Sequence, residues 1–324
     1  MVAALASWLD AKAHHGQWLV RMEDVDTPRC VPGAANLIMQ QLSACGLHAD
    51  AAPTYQSQRG KHYQIALDQL IAQDQAFACT CSRREVAQYW AHCGHAPQAH
   101  TALVYPGTCR NQSAQPAIQV LQTRAAWRFK SDYLPSPELL ANTAKASVLH
   151  TIIAIEKRVM GTNGLKNDAD DADDADAVDA TNAADGAVGW LDRRLGVQSQ
   201  NVQNIVGDFV LKRADGVWAY QLAEVVDDAA QAITHSVRGQ DLLDNTARQI
   251  LLQRALRLPQ PSYLHTPLVL GADGHKLSKQ NNAAPLDVSN PLAALQTAGR
   301  VLGVHVNASS VTNWLNLATA SWAW

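Results

Sequence analysis

Val2, Leu5, Leu9 and Ala13 recur at helical spacing, so the chain is predicted to open on an amphipathic helix with Gly16 as its C-terminal stop. The run Trp18 to Met22 predicts a short buried strand that leads directly into the acidic turn Glu23-Asp24-Val25-Asp26. Pro32 suits the first turn of a second helix, with Leu37, Ile38, Leu42 and Cys45 on its inner face and Gly46 beyond its end. A helix after Ser57 carries Tyr63, Leu67, Leu70 and Ile71 and delivers the chain to a strand-like run, Phe77 to Cys81. Ser82-Arg83-Arg84-Glu85 then has the form of a capping box that starts a further helix. This alternation predicts an α/β domain built on a parallel sheet.

The pattern decays between Lys130 and Asn204, and the Ala/Asp-rich tract from Asn167 to Ala187 reads as a solvated insertion or linker. Order resumes at Asp208 to Arg213 and Val217 to Leu222, two predicted strands joined by the turn Ala214-Asp215-Gly216. Strand, helix and strand signals continue through Ile233 to Val237, Thr246 to Leu256 and Leu268 to Leu270. No internal repeat is present.

Composition narrows the class. A chain of 324 residues with 47% hydrophobic content can bury a full core, as one large or two modest domains. The first twelve residues carry no basic leader, and Ser7 and Asp10 interrupt their apolar stretch, so neither an export signal nor a membrane anchor is expected and the cytoplasm is the expected location. Six cysteines are then expected as thiols or metal ligands. Net charge is −3, but eight aspartates lie between Asp168 and Asp185; without them 21 acids face 26 bases, which permits a nucleic-acid partner.

Two constellations carry chemistry. Lys276-Leu277-Ser278-Lys279-Gln280 follows a predicted strand and the turn Asp273-Gly274, and two lysines on such a loop can neutralise a triphosphate as pyrophosphate leaves. Cys79-Thr80-Cys81, with Cys109 far along the chain, supplies three thiolates that one further ligand would close into a tetrahedral zinc site. Tyr105, His92, Cys93 and His95 are all placed to compete for that fourth position. Cys30 and Cys45 read as packing residues.

The lysine loop resembles the KMSKS signature of class I aminoacyl-tRNA synthetases. Tyr220-Gln221-Leu222-Ala223, Val226-Asp227-Asp228, Ile233-Thr234-His235 and Arg238-Gly239-Gln240-Asp241 resemble the words of the glutamyl branch in order and spacing, and Arg21 to Arg29 resembles its acidic motif. With 44 residues after Gln280, too few for an ordinary anticodon-binding domain, the layout resembles that of the glutamyl-Q tRNA(Asp) synthetases. The resemblance implies a Rossmann-type nucleotide-binding domain interrupted by a small zinc-bearing subdomain.

It also implies roles. Glu23 would hold the α-amino group of L-glutamate, Tyr220 and Arg238 would complete the amino-acid pocket, and Lys276 and Lys279 would act on ATP, which Mg2+ accompanies. Cys79, Cys81, Tyr105 and Cys109 would hold one structural Zn2+. Glutamate would be activated without tRNA and passed to the queuosine base at the wobble position of tRNA(Asp) by a monomer that makes no membrane contact. The implied divisions are 1–76 for the first part of the catalytic domain, 77–130 for the zinc-bearing and acceptor-binding subdomain, and 131–204 for an insertion. Residues 205–285 form the second catalytic part with the lysine loop, and 286–324 a short helical end. The family's first strand and HIGH-type histidine motif would precede Met1, since His14 and His15 fall at the far end of the first helix and cannot stand in for it. Two alternatives accompany this reading: a glutamyl-tRNA synthetase fragment, and a non-catalytic zinc- or tRNA-binding relative.

Overall fold

The structure is a computed structural model that describes residues 1–94, 103–112, 124–132, 186–271 and 286–324. The lysine loop and nearly all of the acidic tract lie outside these residues.

Helix α1 (Val2–Ala13) buries Leu5 and Leu9 of the predicted face, leaves Val2 and Ala13 half-buried, and buries Ala6 and Asp10 as well. Strands β1 (Arg21–Met22) and β2 (Thr54–Tyr55) pair in parallel and flank helix α2 (Ala34–Ala44). The buried strand expected from Trp18 shrinks to these two residues. Helix α2 starts after Gly33 in the left-handed region, and only its C-terminal end turns inward: Leu42 and Cys45 are buried, whereas Leu37 and Ile38 are exposed, against expectation. Cys30 is also exposed rather than packed.

Helix α3 (Gly60–Ala72) buries Tyr63, Leu67 and Leu70 and leads into β3 (Ala76–Cys79). Helix α4 (Arg83–His92) begins at the predicted capping box: Ser82 Oγ accepts from the Glu85 amide and Glu85 accepts from the Ser82 amide. Strand β4 (Ala126–Phe129) joins β3 and β7 (Phe209–Lys212) in an antiparallel sheet of order β3-β4-β7.

The main sheet has the order β6-β5-β9-β8, with β5 (Val188–Asp192), β9 (Ser262–Thr266) and β8 (His235–Gly239) parallel and β6 (Gly196–Gln200) antiparallel at the edge. The hairpin β5–β6 lies where sequence pattern had faded, so residues 188–200 are sheet structure and not part of a solvated insertion. A short helix α5 (Val202–Ile205) follows it.

Val217 to Leu222 is not a second strand. Trp218 makes one bridge to Lys212, after which α6 (Tyr220–Ala230) begins, burying Leu222, Ala223, Val225, Val226 and Ala229. The alternation of Trp218, Tyr220 and Leu222 imitates a strand, but burial along the following residues has the helical period. The predicted Leu268–Leu270 strand is likewise displaced to β9, which stops at Pro267, a residue with no N–H to continue a ladder.

Helix α7 (Leu243–Leu256) joins α3, α6, β7 and Tyr263 of β9 in one hydrophobic core. Helices α8 (Pro291–Val301) and α9 (Val311–Ala320) join α1, Trp18 and the end of α2 in a second, against which Val237 of β8 packs. The parallel strands are thus covered by helices on both faces, the layering of a doubly wound α/β fold. A third, smaller core holds Phe77, Cys79, Val86, Tyr105 and Cys109. No helix among the described residues is long and apolar enough to cross a membrane.

Candidate active site

The C-terminal end of β1, the first turns of α6 and the strand β8 come together on one side of α1. Together with α1 they enclose a cleft of about 570 Å³ lined by Arg21, Glu23, Tyr220, Glu224, Asp228 and Arg238. The three residues expected to bind an amino acid, Glu23, Tyr220 and Arg238, therefore face one cavity although up to 215 positions separate them.

One wall is acidic. Arg21 Nη2 lies 2.8 Å from both Glu224 Oε2 and Asp228 Oδ1, and its Nη1 donates to Gln231 Oε1 at 2.7 Å. Burial works against the Arg21 charge, but Glu224 and Asp228 outweigh it and hold the guanidinium above its ordinary pKa. Three carboxyl groups thus share one buried cation. Glu23 retains solvent contact through the cleft mouth, yet desolvation by the surrounding walls and repulsion from Glu224 push its pKa up, to about 9. Burial and Glu224 also raise Asp228, to about 7. The wall is short of positive charge, and a ligand ammonium would supply it.

Another part of the lining is cationic. Arg238 is 7% exposed and anchored three times: Nε donates to His265 Nε2 at 3.1 Å, Nη2 to Thr246 Oγ1 at 2.8 Å, and Nη1 to the Tyr220 hydroxyl at 3.4 Å. A guanidinium has five N–H groups, so two remain for an anion. Tyr220 opens α6 with its hydroxyl in the cleft, and burial together with Glu224 and Glu23 raises its pKa, which keeps it a neutral donor. Acidic groups and an anchored guanidinium in one cleft suit a zwitterion that carries an additional carboxylate.

The adjacent aspartates of Val226-Asp227-Asp228 divide their work, since neighbours on a helix point about 100° apart. Asp228 faces Arg21. Asp227 is fully buried on the other side, accepting from Arg59 Nε at 2.5 Å and the Tyr63 hydroxyl at 2.7 Å, and so ties α3 to α6. Sequence reading gave no role to Arg21, Glu224, Asp192 or His265. Arg21 opens a word already noticed and Glu224 falls between two others, so a charge at each of those positions was the available signal. Asp192 and His265 offered none.

The cysteine cluster also assembles. The ligand atoms of Cys79, Cys81 and Cys109 all lie within 4.8 Å of one another. The Tyr105 hydroxyl stands 3.4 Å from Cys79 Sγ and 3.8 Å from Cys81 Sγ, and accepts the Cys109 amide at 2.8 Å. Burial pushes the Cys109 thiol up, but hydrogen bonds from Tyr105, the Thr80 amide and the other two thiols outweigh it and bring it down to about 7. Such a set fits a soft tetrahedral metal ion. Gly207, at φ +70°, bridges to Tyr105, and a Cβ there would meet Val104 Cγ1 at 2.9 Å and the Tyr105 carbonyl at 3.0 Å, so the chain must be bare where it supports the cluster. Of the competing fourth ligands, Cys93 is exposed, His92 Nδ1 bonds the Gln88 carbonyl at 2.8 Å, and His95 lies outside the described residues. A second cluster, Asp10, His14 and His235, has its carboxylate already committed to Arg193 at 2.7 and 2.9 Å. Lys276 and Lys279 lie outside the described residues.

Comparison with known proteins gives this geometry a setting. The family of class I tRNA synthetases (E and Q), catalytic domain, matches residues 2–137 and 167–290. A glutamyl-Q tRNA(Asp) synthetase of Albidiferax ferrireducens is 51% identical over 324 residues, covering 99% of this chain and 93% of that protein. One from Leptothrix cholodnii is 49% identical, covering 99% of this chain and 91% of its own length. The chain belongs to the class I tRNA synthetase family, in its glutamyl-Q tRNA(Asp) synthetase group. In fold this synthetase resembles a glutamate tRNA ligase from Elizabethkingia meningosepticum, with a TM-score of 0.61 and 24% identity over 87% of this chain; it spans about half of that longer protein, 49%. The likeness extends the class I assignment to the three-dimensional layering described above. As a member of this family the chain is a ligase.

Proposed function

We propose that this synthetase activates L-glutamate with ATP in the absence of tRNA and then places the glutamyl group on the queuosine base at the wobble position of tRNA(Asp). The observation that carries the amino-acid half is the pairing of an acidic wall, Glu23 with Glu224, against the anchored guanidinium of Arg238 in one cleft. The names of its relatives support the acceptor half, and they favour neither a glutamyl-tRNA synthetase fragment nor a non-catalytic binder.

In the first step a glutamate α-carboxylate oxygen attacks the α-phosphorus of ATP, a P–O bond forms, and pyrophosphate leaves. Glu23 holds the substrate ammonium, with Glu224 beside it. Arg238 and the Tyr220 hydroxyl hold a substrate carboxylate. Lys276 and Lys279 neutralise the phosphates, and Mg2+ accompanies ATP. In the second step a hydroxyl on the modified base attacks the activated carbonyl and AMP leaves. Neither step demands a dedicated proton shuttle, because positioning and charge neutralisation lower most of the barrier. Cys79, Cys81, Cys109 and Tyr105 would hold a zinc ion that fixes the small third core. We place the reaction in the cytoplasm, carried out by a monomer.

Glutamate-dependent exchange of pyrophosphate into ATP without tRNA tests the first step. Exchange with glutamate and none with aspartate or glutamine is the expected result; exchange that requires tRNA, or that another amino acid supports equally, contradicts it.

A further inference from the structure

Arg238 is held from behind by a chain of buried groups that comes from the β5–β6 hairpin, a part of the molecule with no wall on the cleft. His265 on β9 and Asp192 at the end of β5 are both completely buried. His265 Nδ1 lies 2.6 Å from Asp192 Oδ2, and His265 Nε2 lies 3.1 Å from Arg238 Nε. An arginine Nε can only donate, so Nε2 must be the bare nitrogen and Nδ1 must carry the proton, donating it to Asp192. Thr246 closes the circuit: its hydroxyl accepts from Arg238 Nη2 at 2.8 Å and lies 3.4 Å from the same Nε2.

The two oxygens of Asp192 have separate tasks. Oδ1 accepts the amides of Leu195 at 2.9 Å and Arg194 at 3.1 Å, which fixes the turn of the hairpin, and leaves Oδ2 to His265. Arg194 reaches from that turn to β9 and to the segment after β8, donating through Nε to the His265 carbonyl and through Nη2 to Gln240 Oε1 at 2.6 Å.

We propose that Asp192 is a positioning residue for substrate binding: it selects the Nδ1–H tautomer of His265, whose bare Nε2 fixes the Arg238 guanidinium with two N–H groups turned toward a substrate carboxylate. The proposal rests on the reading of Arg238 as a glutamate-binding residue. The relay makes a specific chemical prediction for Asp192→Asn. With Oδ1 retained by two backbone amides, the new NH2 occupies the Oδ2 position and donates to Nδ1, so the proton must move to Nε2. Two donors, His265 Nε2–H and Arg238 Nε–H, then face each other across 3.1 Å, and the guanidinium turns away.

The experiment uses the full chain labelled with 15N at histidine, with His265→Gln identifying the His265 signals, and measures glutamate KM and kcat by pyrophosphate exchange in the wild type, Asp192→Asn, His265→Gln and the double variant. In the wild type the shifts should report a protonated Nδ1 and a bare Nε2, and in Asp192→Asn the reverse. Glutamate KM should rise about tenfold or more, as for loss of a hydrogen bond to a charged group, with kcat and the KM for ATP within about twofold. In the His265→Gln background, where no tautomer exists to select, Asp192→Asn should add almost nothing. A protonated Nε2 in the wild type, the same tautomer in both chains, or an equal further loss in the His265→Gln background would overturn the proposal. If the wild type shows no glutamate dependence, the functional reading of the cleft falls instead, and the nitrogen shifts alone decide the relay. Should His265→Gln fail to fold, as judged by its melting curve, the His265 signals are identified as the pair that changes between wild type and Asp192→Asn, and the absence of any histidine whose tautomer reverses would overturn the proposal.

Discussion

Asp227→Asn should destabilise this protein without altering what it binds, and Asp228→Asn, at the neighbouring position, should do the opposite. Asp227 is fully buried and receives two donors, Arg59 Nε at 2.5 Å and the Tyr63 hydroxyl at 2.7 Å, which join α3 to α6 beneath the cleft. Removing one partner of a buried ion pair costs about 3–5 kcal/mol, because the charge left behind is uncompensated. Asparagine keeps one acceptor oxygen, so the lower part of that range applies, about 3 kcal/mol. For a chain of 324 residues, whose unfolding entropy is about 2.1 cal/mol/K per residue, that corresponds to a fall in Tm of roughly 4–5 °C. Thermal melts at neutral pH measure it, and pyrophosphate exchange at a temperature where both chains are folded should give a glutamate KM within about twofold of the wild type. Asp228→Asn should melt close to the wild type, since it relieves crowding among three carboxyl groups around Arg21, while weakening the hold on Arg21. A variant at Asp227 that melts within 1–2 °C of the parent, or that raises the glutamate KM tenfold, would show that the division of labour on α6 is wrong.

The acidic wall makes the ligand-free protein sensitive to alkali. Burial and the charge of Glu224 raise Asp228 to about 7, and local desolvation with the same neighbour raises Glu23 at the solvent-open cleft mouth, so the folded state, chiefly at the buried Asp228, holds protons that the unfolded state has released. Stability should therefore fall as pH rises from the ordinary carboxylate range through these values. Saturating glutamate should flatten the fall, and a ligand-free Tm that rises between pH 6 and 9 would contradict the assignment. Cys81→Ser should lose bound zinc and stability together, because the metal's binding energy is also folding energy; full retention of one metal per chain by elemental analysis would refute the thiol site. Glu23→Gln should raise the glutamate KM by roughly 10- to 100-fold, the loss expected for a charge-assisted hydrogen bond to an ammonium, and an unchanged KM would remove Glu23 from the pocket.

Much of this architecture was legible because local signals agreed with global ones. The helices α1, α3 and α4 follow from apolar spacing and, for α4, from a capping box whose two reciprocal bonds both form. The cysteine spacing located a real cluster. Where reading failed, a physical competitor prevailed. Trp218, Tyr220 and Leu222 alternate like a strand, but Leu222, Val225, Val226 and Ala229 must reach the core together, and only a helix allows that. The hairpin β5–β6 was invisible because its outer strand β6 is largely exposed and carries glutamines and serine instead of an alternating apolar face. That omission also concealed Asp192, and with it the connection from the hairpin to Arg238. Leu37 and Ile38 have helical spacing yet remain exposed, since periodicity marks an apolar face without saying what covers it.

Glu23, Tyr220 and Arg238 were singled out through resemblance, and the fold brings them to one cleft. What resemblance could not supply was the charge balance. The excess of carboxylates over cations around Arg21 depends on which side of α6 faces β1, a tertiary fact that the linear order of Glu224, Asp227 and Asp228 does not contain.

The most direct test of the central claim is transfer of radiolabelled glutamate, in the presence of ATP, to two preparations of tRNA(Asp) that differ only in whether the wobble position carries queuosine. Label is expected on the queuosine-containing tRNA, located at the modified base, and none on the other. Equal labelling of both preparations, or label at the terminal ribose, would contradict it.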